Sequence, residues 1–533
     1  MTGKWLSALR DTVGMNFANC KSTAPQIRLA NPVFAAWDIE TMSDTSHLYT
    51  PEQRTTRSSE FSGDQKSVMR WLRDLRELAP SLRVRSFKLG LQRANRSQCA
   101  SGNRIQVLEW MRPENHHAQQ LLRRSWQGQD IPLSVDAERA WQDQLALLTE
   151  MGFGYKIALS DDLADPKLTA AARAHACVRA MDVLHQQLLI SRETYRNAPA
   201  KLLKDAYGLY AVAERHGFVD TPVGDTLLRT GETRTVTQIF KMLLLSYCVD
   251  AQALPTTALI GLNRRLPSWI DRVSLRVEHP GTRSRALAFD LANDAPPQVA
   301  SFRARTGRAT VRWLVLDTLA HDLESQRASG DFDPALLPLY RLCRGRQDRR
   351  EARAFRSDAV GVVLGLNDIH ATLRHRIEPE TDHWQLRDLS PSGIGLVKNS
   401  AEPMALHVGA LAAVKRPNSD EKSIWRVGIV QWLRHTADEQ FQCGVQLLST
   451  EARAVHATYR VDTGANLRTE CVLIPAAHGA ASPCLVLPPR RFKAGQAITL
   501  LSDAAPSTHW RLKAMLRNTS SVAVFSLEQT NQR

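Results

Sequence analysis

The residues with the clearest chemistry in this 533-residue chain lie between positions 341 and 396. Arg341, Arg344, Arg346, Arg349, Arg350, Arg353 and Arg356 fall within sixteen residues, opposed only by Asp348 and Glu351, which leaves the segment a net charge of +5. A guanidinium is a permanent, planar, five-donor fork that matches phosphate oxygens and the O6/N7 edge of guanine. About thirty residues later comes Arg387-Asp388-Leu389-Ser390-Pro391-Ser392-Gly393-Ile394-Gly395-Leu396. Asp388 suits the N1/N2 donors of a guanine, and Ser390 can bond a phosphate or the backbone. Gly393 suits either a positive φ or close approach of a ligand. Alone, the arginine run reads first as a solvated face or a flexible linker, and the second segment reads as readily as an ordinary hairpin turn. Taken together, the two segments carry residue types suited to holding an anionic ligand.

No competing catalytic pattern is present. The chain has no GxxxxGK[ST] phosphate loop, no GxSxG elbow and no HExxH. Its eight cysteines are far apart and contain no CxxC pair, which gives no support to a zinc site and suggests free thiols in a reducing compartment. His116 and His117 are adjacent, so on a helix they point about 100° apart, a poor metal pair. The expectation is no enzyme activity and no metal or other cofactor. The N-terminus has no continuous apolar core of a secretory signal, and the longest apolar stretch, near Phe240–Val249, is too short for a membrane span. The expected location is therefore cytoplasmic. The whole chain carries 69 Lys+Arg against 54 Asp+Glu, a formal +15. Of the 69, 55 are arginine. Most of that excess reads as solvated surface.

The elements that must position these residues form a multidomain α+β chain. Residues 1–160 read as a poorly defined, partly helical region, with a loop-like Cys20–Ser62 and a helix over Gly63–Leu78 that places Val68, Trp71, Leu72 and Leu75 on one face. Residues 161–325 read as a helical module: Val178, Met181, Leu184 and Leu188 recur at helical spacing, a second helix opens at Pro199, and Thr235/Gln238 make a capping-box pattern. Short β-branched runs near 273–277, 285–290 and 310–316 predict a small sheet. Residues 326–344, with Ser329-Gly330 and Pro334, read as a linker. From 345 to 452 short strands at even spacing predict a small antiparallel barrel, and 453–533 predict a second β-rich domain.

The arginine segment, the Asp-x-Ser-x-x-Gly segment and the strands after them together resemble the PilZ domain, a bacterial receptor module for cyclic di-GMP. Arg349-Arg350-Glu351-Ala352-Arg353 matches its RxxxR motif, with Arg346/Arg350 as an alternative register, and Asp388 to Gly393 matches [DN]xSxxG. Val427-Gly428-Ile429-Val430-Gln431-Trp432 and Cys443-Gly444-Val445-Gln446-Leu447 are similar to its later strands. The resemblance covers about a fifth of the chain. It implies that Arg349 and Arg353, with Arg350 as a helper, hold ligand phosphate and guanine, while Asp388, Ser390 and Gly393 line the base-recognition surface. The gap from Arg353 to Asp388 is longer than the family pattern, and the extra length is expected as a loop insertion around Arg374–His383. The resemblance implies a cyclic di-GMP effector in which the anionic ligand orders the arginine segment and repositions the helical module toward a protein partner. A PilZ-like scaffold without nucleotide binding, or a basic nucleic-acid-binding protein, are the alternatives.

Overall fold

The computed structural model describes residues 48–52, 64–227, 232–299, 309–345, 353–355, 357–375, 382–399, 404, 406–415, 424–436, 440–461, 464–476, 482–489, 491–502 and 505–530. Of the expected features, the loop-like Cys20–Ser62, apart from residues 48–52, and the arginines Arg346, Arg349, Arg350 and Arg356 lie outside them.

The chain opens with helices α1 (Gln65–Arg76), α2 (Pro80–Arg96), α3 (Ser101–Trp126), α4 (Val135–Ala164), α5 (Ala170–Glu193) and α6 (Leu202–Arg215). Side-chain caps start several of them: Asp64 for α1, Ser134 for α4 and Thr169 for α5 each accept a first-turn amide. Both α4 and α5 are buried on nearly every side, so they form the centre of a bundle rather than an amphipathic surface layer. The boundary expected at 160/161 falls inside α4, because Gly152–Leu159 continues one buried helix. A short hairpin, β1 (Val223–Gly224) and β2 (Thr233–Arg234), precedes α7 (Val236–Cys248), where Thr235 and Gln238 form the expected reciprocal capping box. Helix α8 (Thr256–Arg265) leads to a four-stranded antiparallel sheet of β3 (Ser274–Arg276), β4 (Ala286–Asp290), β5 (Gln298–Val299) and β6 (Val311–Val315), in the order β3–β6–β4–β5. Phe289 of that sheet stacks on Tyr207 of α6, centroids 5.4 Å apart, which fastens the sheet to the bundle.

The 326–344 segment is not an extended linker. Helix α9 (Asp317–Ser329) ends at Gly330 in the left-handed region, a 3-10 turn follows, and α10 (Leu337–Cys343) buries Leu339, Tyr340 and Cys343. Pro334 and Gly330 shape a turn between packed elements, which is why their presence alone suggested a boundary.

The strands after α10 are β7 (Ala354–Phe355), β8 (Ala359–Leu364), β9 (Asp382–Ser390), β10 (Gly393–Lys398), β11 (Leu411–Lys415), β12 (Trp425–His435) and β13 (Phe441–Ser449), with α11 (Leu366–His375) between β8 and β9. Pairing runs β10–β13–β12–β11–β8–β9, and β9 pairs back to β10, so six strands close on themselves while β7 adds to β9. Between Arg353 and Asp388 the described residues hold helix α11, and residues 376–381 of the expected loop insertion lie outside the described residues. Leu366, Ile369, His370 and Thr372 are buried, a helical pattern that the adjoining polar residues hide in the sequence.

A second closed barrel follows: β14 (Arg453–Arg460), β15 (Asn466–Ile474), β16 (Cys484–Leu487), β17 (Ala497–Ser502), β18 (Ala505–Asn518) and β19 (Ala523–Gln529), in the order β14–β15–β16–β19–β18–β17. Alternating side chains of the first barrel divide between two apolar clusters. Val362, Ala412 and Val414 belong to a cluster continuous with the helical bundle. Val363, Leu411 and Ala413 join Ile369 of α11 and Val472, Val486 and Val524 of the second barrel. Among the described residues no helix is long and apolar enough to cross a membrane.

Candidate functional site

The Asp388 segment occupies the β9–β10 hairpin. Pro391 and Ser392 form its two-residue tip, and the register pairs Ser390 with Gly393, Leu389 with Ile394 and Asp388 with Gly395. Strand β7 adds to the other edge of β9, pairing Ala354 with Leu389 and Phe355 with Asp388. That two-residue pairing carries Arg353, thirty-five positions earlier in sequence, to the Asp388 carboxylate. Arg353 Nη1 is ion-paired with Asp388 Oδ1, and the side chains are 26% and 7% exposed respectively. Arg387 Nε stands 3.9 Å from the other carboxylate oxygen and its Nη1 donates to Gln442 Oε1 at 2.7 Å.

The structure thus brings together Arg353, Asp388, Ser390 and Gly393. Ser390 is buried, and its hydroxyl donates to the Gly393 carbonyl at 3.4 Å, a long bond that closes the hairpin. Gly393 lies in ordinary strand backbone rather than among the positive-φ glycines, so the left-handed reason for a glycine there drops out. An added Cβ at Gly393 would stand 3.4 Å from the Val445 carbonyl oxygen and 3.7 Å from Arg353 Nη2 and Ser390 Oγ. Gly395 is the more demanding position. A Cβ there would lie 2.7 Å from the carboxyl carbon and both oxygens of Asp388. The missing side chain at 395 is the space that the Asp388 carboxylate fills.

Sequence reasoning did not single out Gly395, Phe355 or Arg517. Phe355 is 80% exposed and sits directly opposite Asp388 on the neighbouring strand, so an apolar ring stands beside the Arg353–Asp388 pair. Its signal in the sequence was that it is the one aromatic residue within the arginine run. Arg517 of β18 donates to Gln446 Oε1, and Gln446 pairs with Gly393 in the β10–β13 register. A cation of the second barrel therefore stands one strand away from the hairpin, an arrangement that no local spacing announces. The first arginines of the run belong to α10: Arg341 lies in its last turn, and Arg344 caps it and lies over the Tyr340 ring, 5.8 Å from its centroid.

The hairpin's barrel is fastened to the helical bundle at one edge. The His435 amide donates to the Tyr195 carbonyl at 3.0 Å, and Arg196 Nε bonds His435 Nδ1 at 2.9 Å while its other nitrogens hold Glu138. Burial, with the Arg196 charge, pushes the His435 imidazole down to about 4, so it is neutral and accepts the Arg196 proton. Arg434 reaches Gln252 beside it, at 3.0 Å. Deeper in the bundle, Glu109 receives Tyr155 Oη at 2.5 Å, with His175 and Arg179 each at 3.2 Å. Burial pushes its carboxyl up, but the His175 bond, the Arg179 charge and the Tyr155 bond outweigh it and hold the group at about 2. This network joins α3, α4 and α5 around one carboxylate and fastens the three helices together.

Two family models match the chain. One, described as the cyclic-di-GMP receptor FimW, N-terminal domain, spans residues 66–280, the helical bundle from α1 into the first strand of the small sheet. The other, the cyclic-di-GMP receptor FimW, middle PilZ domain, spans residues 366–454, which includes Asp388, Ser390, Gly393 and Gly395 and begins after Arg353. No curated protein matches the chain. With bundle and barrel matched in this order over more than half of its length, the chain belongs to the FimW family of cyclic di-GMP receptors, whose middle domain is a PilZ domain.

Proposed function

We propose that this protein binds cyclic di-GMP at the β9–β10 hairpin and passes the event to a protein partner through its helical bundle. The observation that carries the reading is the Arg353–Asp388 pair, with Arg353 immediately before β7 and Asp388 on β9, beside the exposed Phe355 ring. In the free protein each charge neutralises the other. A dianionic dinucleotide offers both a better partner: its phosphate takes the Arg353 fork, and its guanine N1/N2 edge donates to the Asp388 carboxylate. Ser390 and Gly393 border the same edge, Phe355 supplies a face on which a purine can stack, and Arg349 and Arg350 add positive charge from the segment leading to β7. The ligand offsets the like-charge repulsion among the arginines that lead to β7.

The consequence for the bundle is a small shear rather than a wholesale reorientation. Barrel and bundle share one continuous apolar cluster, and a large rotation would expose it to water. The Tyr195/Arg196–Arg434/His435 contact is the polar edge at which sliding costs least, because its partners are hydrogen bonds that water can replace. Helices α1 and α2 expose Met69, Leu82 and Leu89 among Arg70, Arg73, Arg85 and Arg93, a surface suited to an acidic, partly apolar protein partner. The protein works in this reading as a cytoplasmic receptor without catalysis of its own.

Calorimetric titration of the full chain with cyclic di-GMP tests the reading. Wild-type binding that weakens strongly in Arg353→Ala and Asp388→Ala supports it. Absence of wild-type binding sinks the receptor function for this chain, and wild-type affinity in both variants sinks the site.

A further inference from the structure

Helix α11, the element that separates β8 from β9, packs one face against the second barrel. His370 of α11 is buried, with its side chain only 2% exposed, and its Nε2 has no hydrogen-bond partner among the described residues. Across the gap between the two barrels stand His456 of β14 and Glu470 of β15, which are directly opposite each other in the β14–β15 register. The two imidazoles meet edge to face with centroids 4.8 Å apart, and His370 Nδ1 is 3.9 Å from a Glu470 carboxylate oxygen. One ligand atom from each of the three residues lies within 4.8 Å of the other two.

We propose that His370, His456 and Glu470 form a binding site for one divalent transition-metal ion of the zinc class, which ties α11 of the PilZ barrel to the second barrel. Two imidazoles and one carboxylate are the donor set that suits such an ion; magnesium and calcium prefer all-oxygen sites. Metal–ligand bonds of about 2.0–2.2 Å in tetrahedral geometry separate donor atoms by about 3.3 Å, so the trio must contract by about 1 Å. Glu470 supplies that movement, since its side chain is 46% exposed and free to change rotamer at the rim. The fourth position opens to solvent on the Glu470 side.

The surroundings favour the ligating forms. Burial pushes both imidazoles below the usual histidine range, further assisted for His456 by Arg468 and His370 and for His370 by Arg374 and His375. Glu470, and for His370 the Val455 carbonyl, pull the other way. A neutral ring keeps a lone pair for a metal at physiological pH. Arg374 and Arg468 also oppose a cation, but both are exposed and screened by water. The described cysteines are poor competitors: burial pushes the thiols up, Cys443 and Cys248 to about 12.

The test uses the full chain, stripped with EDTA and dialysed against zinc, with metal content read by plasma mass spectrometry and affinity by competition with a chromogenic chelator. Wild type is expected to hold one equivalent more than Glu470→Gln and His456→Asn, each of which weakens that site at least about tenfold. The cobalt form of wild type is expected to show the visible bands of a four-coordinate site, lost in both variants. Zinc should raise the melting temperature of wild type but of neither variant. Glu470→Gln alters an exposed side chain, so it remains informative if His456→Asn does not fold. Equal metal content and equal affinity in wild type and Glu470→Gln, or no zinc bound by wild type, overturns the proposal.

Discussion

Gly395→Ala is the sharpest perturbation of the hairpin. The added methyl would lie 2.7 Å from the carboxyl carbon and both oxygens of Asp388. Comfortable non-bonded contacts lie near 3.5–4.0 Å, so the carboxylate must retreat by about 1 Å. The main chain cannot yield easily, because Gly395 is paired with Asp388 on one side and with Gly444 on the other. The side chain of Asp388 moves instead, and its ion pair with Arg353 opens. Overpacking of this kind costs about 1–3 kcal/mol of local stability. Loss of one carboxylate contact to a guanine edge costs about 1–3 kcal/mol of binding, which is about 5- to 150-fold in Kd. Gly393→Ala is the control: its methyl meets neighbours at 3.4–3.7 Å, so the hairpin should keep its fold. Calorimetry with cyclic di-GMP, beside circular dichroism of each variant, separates the effects. Wild-type affinity in a folded Gly395→Ala protein would refute the argument, since the seat of the Asp388 carboxylate would then be irrelevant to the ligand.

The Arg353–Asp388 pair should be unequal in its two deletions: Arg353→Ala strands a buried carboxylate that Arg387 reaches only at 3.9 Å, at about 1–3 kcal/mol. Asp388→Asn leaves a partly exposed guanidinium that water can serve, at under about 1 kcal/mol. Amide hydrogen exchange of β9 and β10 reads the difference, and equal protection in the two variants contradicts it. Phe355→Ala removes an exposed ring, so thermal stability should stay unchanged while affinity for cyclic di-GMP falls by about 1–3 kcal/mol if a purine stacks there; unchanged affinity removes Phe355 from the site. In the bundle, Glu109 is held at about 2, below its ordinary 4.5. A depressed folded-state value stabilises above the unfolded value, and that contribution is lost as pH falls from about 4.5 through about 2. Glu109→Gln should therefore cost about 2–3 kcal/mol at neutral pH, and the gap between variant and wild type in urea melts should narrow as the pH is lowered through that window; a constant gap would disprove it.

Much of this molecule is legible where chemistry and spacing are local. The capping box at Thr235 and Gln238, the helix through Val178, Met181, Leu184 and Leu188, and the evenly spaced strands after 358 follow from periods of 3.6 and 2 that each segment carries within itself. The two short motifs around Arg353 and Asp388 are legible for the same reason, each lying within six residues. What the sequence hid depends on partners far along the chain. Helix α11 was masked because its apolar face is short and its ends are polar, and strands of both barrels, distant in sequence, cover that face. The 326–344 segment was read as a linker because Gly330 and Pro334 carry the same signal in a turn between packed helices as in a free connection.

By itself, then, the sequence determined the order of the modules, helical first and then two β-rich domains, and the residue types of the proposed nucleotide site, because hydrophobic period and side-chain chemistry are properties of neighbouring residues. Only the tertiary structure decided which of them meet. Pairing of β7 with β9 delivers Arg353 to Asp388, and Gly395 opens the space for that carboxylate. Docking of α11 on the second barrel collects His370, His456 and Glu470 from a hundred residues of chain. Strand register and barrel packing set those distances, and both are fixed by long-range burial that no short window of sequence contains.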